Sequence, residues 1–560
     1  MKRWAALSMA GLVLGGLAVA PARAQQATPA RAPQIRPVGP GSVSFTMPDG
    51  TNFRFGISID VQPMTVKDLD FNRRTNFRTI TEFGAFGEED NIIGFENRLF
   101  FTVTKDRLSL YTAIELDGAL DERTADHNNP NIERVNLSLL VPEVNSTFTV
   151  GWDIYAVDQI GGLVYIDDDP GIWFKGGAGP WSWQAGWHKR LDFGGAAGDS
   201  GARFASRVSN QETREDDTDI FSAKVGYNFT HPFGRFLVEP FALGYLRNSP
   251  HSGAAADQTR VGAVGPGAQA RPADPLQASV ANIQPHQETY YLGIQGTGNI
   301  GWLRPSAEFV YLIGDISGLK DRVTGALPFG RRSFDIHSLA TYLRFDLDWS
   351  KQRWWPLRGV IPFVAAEFLR GDDDPFDDDL KGFVSPSTPN ALRVGDFPLL
   401  RKTVLGLGSP VLGDGTADFG FAVDGRGIGP TIGNILEGST FPSAAFFNNR
   451  FGKGDNPGYL MLSGGLQGSW NPKWDFHLIG RWARFHRTEP IEAEFRSLGI
   501  GTLSSEIGGG IDAVVVYKPA PQYQIRPFFS IFFPGAGAKK LAGGGNDEAI
   551  VSGVNFFAIF

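Results

Sequence analysis

Amphipathic, β-rich segments run along this chain, joined by connections that are short, then long, then short again, and the rhythm continues to the last residue. About eighteen such segments can be read, sixteen on the stricter reading, which is the pattern of a transmembrane antiparallel up-and-down β-barrel, all-β, with tight turns at one membrane face and large loops at the other. From Asn52 to Gln62, Phe53, Phe55, Ile57, Ile59 and Val61 alternate with Asn52, Arg54, Ser58, Asp60 and Gln62. A period of two with apolar residues on one parity is a strand wet on one side only. Arg107 to Asp117, Asp335 to Trp349 and Gln522 to Phe533 repeat it. Segments of roughly ten residues or more suffice to cross a bilayer at a tilt.

The short connections at Lys105 and Asp106, Pro142 to Asn145, Gly177 to Pro180, Thr230 to Phe233, Gly298 and Asn299, Ser350 to Pro356, Asn471 and Pro472, and Ala520 and Pro521 are rich in turn formers. The long ones are polar, and the longest runs from Gly371 to Pro457. An even strand number places both termini on the short-turn side. At the start, Lys2 and Arg3 precede the apolar stretch Trp4 to Ala20, and Ala22-Arg23-Ala24 reads as a cleavage site. This predicts residues 1–24 as an export signal and 25–50 as a Pro-rich periplasmic tether. The barrel is predicted over 51–560, with the long loop at 371–457.

The last strand, Ile550 to Phe560, ends on an aromatic residue. Gly553, Phe556 and Phe560 resemble the C-terminal signature by which Gram-negative outer-membrane barrels are recognised for assembly, with Ala558 where an aromatic is usual. Glu115 to Asp117, Arg134 to Leu140, Thr147 to Trp152 and Tyr155 to Trp173 resemble the early region of phosphate-selective porins and alginate-export barrels. Val150 and Gly151 match, whereas Trp152 and Asp153 stand where an Arg or Gln is usual. The resemblance implies a barrel of the porin superfamily in the cell outer membrane, put in place by the barrel assembly machinery. It also implies that the loop after Gly151 folds toward the pore.

Composition narrows the function. With no Cys there is no disulfide, thiolate catalysis or Cys-based metal site. The 70 Gly and 44 Phe suit turns, small lumen positions and a lipid-facing belt. Trp152, Trp181, Trp187, Trp302, Trp349, Trp354, Trp355, Trp470, Trp474 and Trp482 fall near strand ends, the headgroup level that an amphipathic ring prefers. A net charge of −8 and the lack of a basic patch disfavour nucleic acid as a partner.

The inward parity carries the candidate pore-lining residues Arg54, Glu96, Arg98, Glu115, Asp117, Arg134, Glu239, Arg304, Glu308, Arg344, Asp346, Asp348, Arg481 and Arg526. Asp60, Arg107, Lys224, Arg235, Asp475, Glu506 and Asp512 share it. Both signs occur in similar numbers, the mixture of a water-filled channel with a transverse field. Arg98 with Glu96, Arg304 with Glu308, and Arg344 with Asp346 and Asp348 are candidate constriction pairs; structural neutralisation across the wall is the alternative. No excess of inward Arg and Lys supports anion selectivity.

Asp167 to Asp169 and the run Asp372, Asp373, Asp374, Asp377, Asp378 and Asp379 lie in loops without the spacing of a calcium loop, so no metal site is assigned. His188 and His477 fall on inner faces and His337 on the outer parity, with no nucleophile motif beside them, so no enzyme and no cofactor are expected. The expected function is passive diffusion of small hydrophilic solutes or ions through an outer-membrane channel. A polymer-export pore, an electron-conduit sheath and an adhesive barrel with a plugged lumen are the alternatives. The partners expected are outer-membrane lipid, small hydrophilic solutes and the assembly machinery, and a homotrimer is compatible with the lipid-like outer face.

Overall fold

The computed structural model describes residues 42–67, 79–81, 84–86, 89–119, 131–167, 170–190, 218–248, 286–318, 333–349, 359–374, 377, 379–383, 457–490, 492, 501–541 and 547–560. The predicted leader and most of the tether lie outside these residues, as does most of the 371–457 loop.

The wall is built from β1 (Asn52–Lys67), β2 (Glu89–Lys105), β3 (Leu108–Ala119), β4 (Asn131–Val141), β5 (Ser146–Trp152), β6 (Pro170–Ala178), β7 (Trp181–Arg190), β8 (Thr218–His231) and β9 (Gly234–Asn248). It continues with β10 (His286–Asn299), β11 (Leu303–Ser317), β12 (Phe334–Leu347), β13 (Val360–Leu369), β14 (Tyr459–Asn471), β15 (Trp474–Phe485), β16 (Glu506–Ala520), β17 (Tyr523–Pro534) and β18 (Ala549–Ile559). Each strand pairs antiparallel with the next, and β18 returns to β1, so the sheet closes on itself. Closure leaves no unpaired edge among lipid tails, where an unsatisfied backbone group costs several kcal/mol. The predicted turn at Ser350 to Pro356 lies outside the described residues, and the described turns fall within one or two residues of their predicted positions. That between β10 and β11, for example, is Ile300 to Trp302, not Gly298 and Asn299.

The pleat sorts the side chains as the period predicts. Phe55, Ile57 and Ile59 are exposed outward while Ser58 and Asp60 are buried inward. Leu343 and Phe345 face out while Tyr342, Arg344 and Asp346 face in. Trp181, Trp302, Trp470 and Trp474 ring the short-turn end on the outside, and Trp187 and Trp482 stand near the long-loop end. An apolar outer band between two aromatic girdles defines a membrane-spanning barrel.

One boundary differs from expectation. Val43–Thr46, inside the stretch read as tether, is a strand paired with Asn52 to Phe55 of β1. β18 reaches β1 only as far as Ser58, and Phe560 exchanges backbone hydrogen bonds with Ile57 at 2.8 Å. The short strand therefore covers the β1 edge that β18 leaves open. Phe45 stacks on Phe53 at 5.0 Å, and Arg54 donates to the Ser42 hydroxyl at 2.8 Å. Its four residues lack the length and apolar spread that mark a wall strand, so composition alone hid it.

Candidate functional site: the lumen and its in-folded hairpin

The inner wall has two tiers. Toward the long-loop end, β8 to β12 turn apolar side chains inward: Ile220, Leu243, Tyr245, Tyr291, Val310, Leu312 and Ile336 are all buried. This departs from the expected uniformly polar lining. The cue was present in Phe309 to Ile313, an unbroken apolar run, since a strand buried on both faces loses its alternation.

What covers those residues is the connection after β5. Gly151 has φ +132°, and a Cβ there would lie 2.3 Å from the Val135 carbonyl oxygen, so only Gly lets the strand leave the wall at this point. The chain then forms a small antiparallel hairpin, Tyr155 and Ala156 against Ile166 and Asp167. Its turn is held by Asp158, whose carboxylate accepts the Val164 and Tyr165 N–H groups at 2.7 and 2.8 Å. Tyr155, Val157, Leu163, Val164 and Tyr165 pack on the apolar tier. Burying a side chain of this size stabilises by about 1.5–3 kcal/mol, so five fix the hairpin firmly.

Polar groups of the wall then set its position. Asn136 donates to Asp153 at 3.0 Å, the Tyr155 and Ser222 hydroxyls meet at 2.9 Å, and Gln184 donates to the Ala156 carbonyl at 2.6 Å. Gln295 accepts the Gln159 and Ile160 N–H groups at 3.0 and 3.1 Å, and Glu308 accepts that of Gly161 at 2.7 Å. The inward fold implied by the Val150-Gly151 resemblance is thus present. Glu308→Ala is expected to loosen the hairpin by about 1.5–3 kcal/mol, the worth of a hydrogen bond to a charged group. Single-channel recording should then show larger or fluctuating conductance; a steady, unchanged conductance would mean that Glu308 does not hold the hairpin.

Beside this tier lies a belt of opposed charges. Arg344 donates from Nε and Nη2 to Asp346 at 3.0 and 2.7 Å and from Nη2 to Gln467 at 2.8 Å, its guanidinium 4.4 Å from the Phe363 ring centroid. Arg304 pairs with Asp348, and Arg481 with Asp512. Lys224 lies 4.0 Å from Glu239, which accepts from Gln295 at 2.8 Å. Arg98 pairs with Glu115 at 2.6 Å. Arg526 donates to Asn555 at 3.2 Å, and Asn555 to Asp60.

Several of these charges pair across strands, and Arg344 with Asp346 pairs along one. Arg98 meets Glu115, directly opposite in register. Arg304 meets Asp348, while Glu308 serves the hairpin; Arg344 keeps Asp346 but shares it with Gln467. Cross-strand neighbours lie about 5 Å apart and same-side neighbours in one strand nearer 7 Å, so register decides most pairings. Glu96 and Asp117 oppose each other in the ladder, and their side chains lie outside the described set. Arg134 is buried in β4, and Arg54 lies near the short-turn end. Arg107 and Arg235 are instead exposed beside turns, Arg107 paired with Glu143 at 3.0 Å, and Glu506 is exposed at the opposite rim. There the strands end and parity no longer defines a lumen side. His188 packs among the rings of Tyr155, Tyr165 and Trp173.

The start of the long loop folds back as a clasp. Leu380 and Phe383 join the apolar cluster, Asp379 and Leu380 pair parallel with Asp335 and Ile336, and Ser338 donates to the Lys381 carbonyl at 2.6 Å. Lys381 Nζ offsets part of the acidic charge from within, donating to Asp373 and Asp377, both at 2.8 Å. Asp372 is buried, accepts the Asp374 and Lys381 N–H groups, and is pushed by desolvation from the ordinary 3.8 up to about 7. His486 accepts the Gly371 N–H at 2.9 Å, and burial lowers its pKa.

The signs oppose each other. Asp372 contributes stability that is full below its unfolded value and lost as pH rises through about 7. His486 favours the clasp above its ordinary 6.5 and loses that contribution as pH falls. Limited proteolysis of the clasp should therefore quicken from pH 6 to pH 8, and Asp372→Asn should remove most of that rise. An unchanged profile in the variant would detach Asp372 from clasp stability.

No family model matches this chain, and no curated protein does. Solved structures resemble it in overall fold at low identity. Pseudomonas aeruginosa OccK2 (OpdF), crystallised with glucuronate, is 11% identical with a TM-score of 0.44, covering 91% of this chain and 98% of that one. A BenF-like porin from Pseudomonas fluorescens Pf-5 is 9% identical with a TM-score of 0.45 over the same shares. Pseudomonas aeruginosa OccK8 (OprE) is 11% identical, again at 0.45, 91% and 98%. At these values no residue role passes from those proteins to this chain. They also lend no support to the narrower comparison with phosphate-selective or alginate-export barrels.

Proposed function

We infer that this chain is an outer-membrane porin, a water-filled channel through which small hydrophilic solutes or ions diffuse passively. The observation that carries the reading is a closed wall of this circumference whose inner face holds opposed charges beside an anchored, in-folded hairpin. Barrels of sixteen to eighteen strands are too wide for wall side chains to fill, so water remains inside. The hairpin narrows the upper lumen against one side of the wall, and the belt beside it supplies a transverse field that orients a polar solute. The paired, two-signed belt supports a pore for polar solutes of either charge better than a phosphate-selective one. Insertion by the barrel assembly machinery belongs to the same reading, supported by the seam that the terminal strand closes.

Liposome swelling is the direct test. Vesicles carrying folded protein should swell at rates that fall as the neutral sugar supplied becomes larger. Swelling no faster than that of empty vesicles would remove the channel and favour a sealed, adhesive barrel.

A further inference from the structure

The outer wall is not uniformly apolar and bulky. Across β14, β15 and β16 near the long-loop end, Gly464 and Gly480 oppose each other and form the floor of a shallow groove. Leu462, Trp482, Ile511 and Phe533 stand as its walls.

The barrel itself does not require these two glycines. Neither has a positive φ, and a Cβ would meet its nearest neighbour at 3.5 Å for Gly464 and 3.8 Å for Gly480, which is ordinary contact. Gly within a strand weakens it, through lost side-chain packing and greater backbone freedom. The room therefore serves something outside the wall.

The next outward position on β15 after Trp482 is Arg484, exposed at the strand's long-loop end. Among the described residues it makes no ion pair. Its register partner Glu506 accepts the Ala536 N–H with Oε2 at 3.4 Å. Trp482 marks the interfacial level of the outer leaflet, so a cation one step beyond it lies at the depth of lipid phosphates.

We propose that this groove is a binding site for one phosphate-bearing acyl lipid of the outer leaflet, lipid A, with an acyl chain along Gly464 and Gly480 and a phosphate on Arg484. The charge above the groove favours an anionic lipid over a second copy of the same face, because two copies would bring their Arg484 side chains together. The proposal rests on the chain being a membrane barrel and not on its lumen conducting, so binding and conductance fail separately.

The test is native mass spectrometry of the detergent-purified full chain titrated with lipid A. Gly480→Leu fills the floor, Arg484→Gln removes the charge, and Ala307→Leu adds bulk to another part of the outer face as a control. Gly480→Leu and Arg484→Gln should each weaken binding at least tenfold with heat-modifiability retained, while the control binds as the parent does. Parent-like affinity in both variants overturns the site. So does an oligomer that Gly480→Leu dissociates without changing lipid A affinity, which would assign the face to a second copy. Should Gly480→Leu fail to fold, Arg484→Gln, on an exposed rim, decides the matter alone.

Discussion

Phe560→Asp is expected to reduce folded, heat-modifiable protein in the membrane by at least tenfold. Phe560 is where the barrel closes: its N–H and carbonyl both pair with Ile57 at 2.8 Å, and its ring meets Tyr523 edge-on at 5.4 Å. The alternation that exposes Phe556 places Phe560 on the same outer side, and Gly553 on the inner. A charge on a lipid-facing position of a barrel strand costs up to a few kcal/mol, depending on depth. The same residue is the last position of the terminal strand by which assembly machinery is proposed to capture the chain. Phe560→Tyr keeps the ring and should assemble normally. Parent-like amounts of folded barrel in Phe560→Asp would remove the weight placed on Gly553, Phe556 and Phe560 as an assembly signal.

Arg344→Glu carries the second large effect, on stability and on charge preference together. Arg344, Asp346 and Gln467 are all buried, and the guanidinium satisfies both partners while lying against Phe363. Deleting one member of a buried ion pair costs about 3–5 kcal/mol, and the incoming carboxylate adds repulsion with Asp346. Thermal unfolding should begin at a clearly lower temperature. In bilayers the reversal potential under a salt gradient should move toward cation preference, because the inner wall loses one positive charge and gains one negative. Arg344→Met, which loses one charge and keeps the bulk, should move it half as far. An unchanged reversal potential would make this pair a structural tie with no hold on permeating ions.

Much of this fold is legible in the sequence because a barrel wall imposes one rule, apolar out and polar in, on every strand. Ile57, Ile59, Leu343 and Phe345 obey it against Ser58, Asp60, Arg344 and Asp346, and the strands follow. Ion partners are less legible, since Arg98 finds its register partner Glu115 and Arg304 finds Asp348 diagonally beyond its register partner Asp346, and register depends on turn geometry more than on local pattern. The hairpin is legible only in part: the resemblance around Val150 and Gly151 implies its inward course, but not where it sits. Its apolar side chains resemble those of a wall strand, and its seat on Val310 and Leu312 shows only as a run where alternation fails. The anchor Glu308 reads as lining until the hairpin is in place, after which its carboxylate and the Gln295 side-chain carbonyl are seen to receive the hairpin's N–H groups.

Single-channel conductance and reversal potential of the purified, folded protein in a planar bilayer test the central claim most directly. Steady open steps are predicted, with weak charge selectivity, because the belt carries both signs in pairs. Absence of steps from protein shown to be folded by heat-modifiability would contradict the channel.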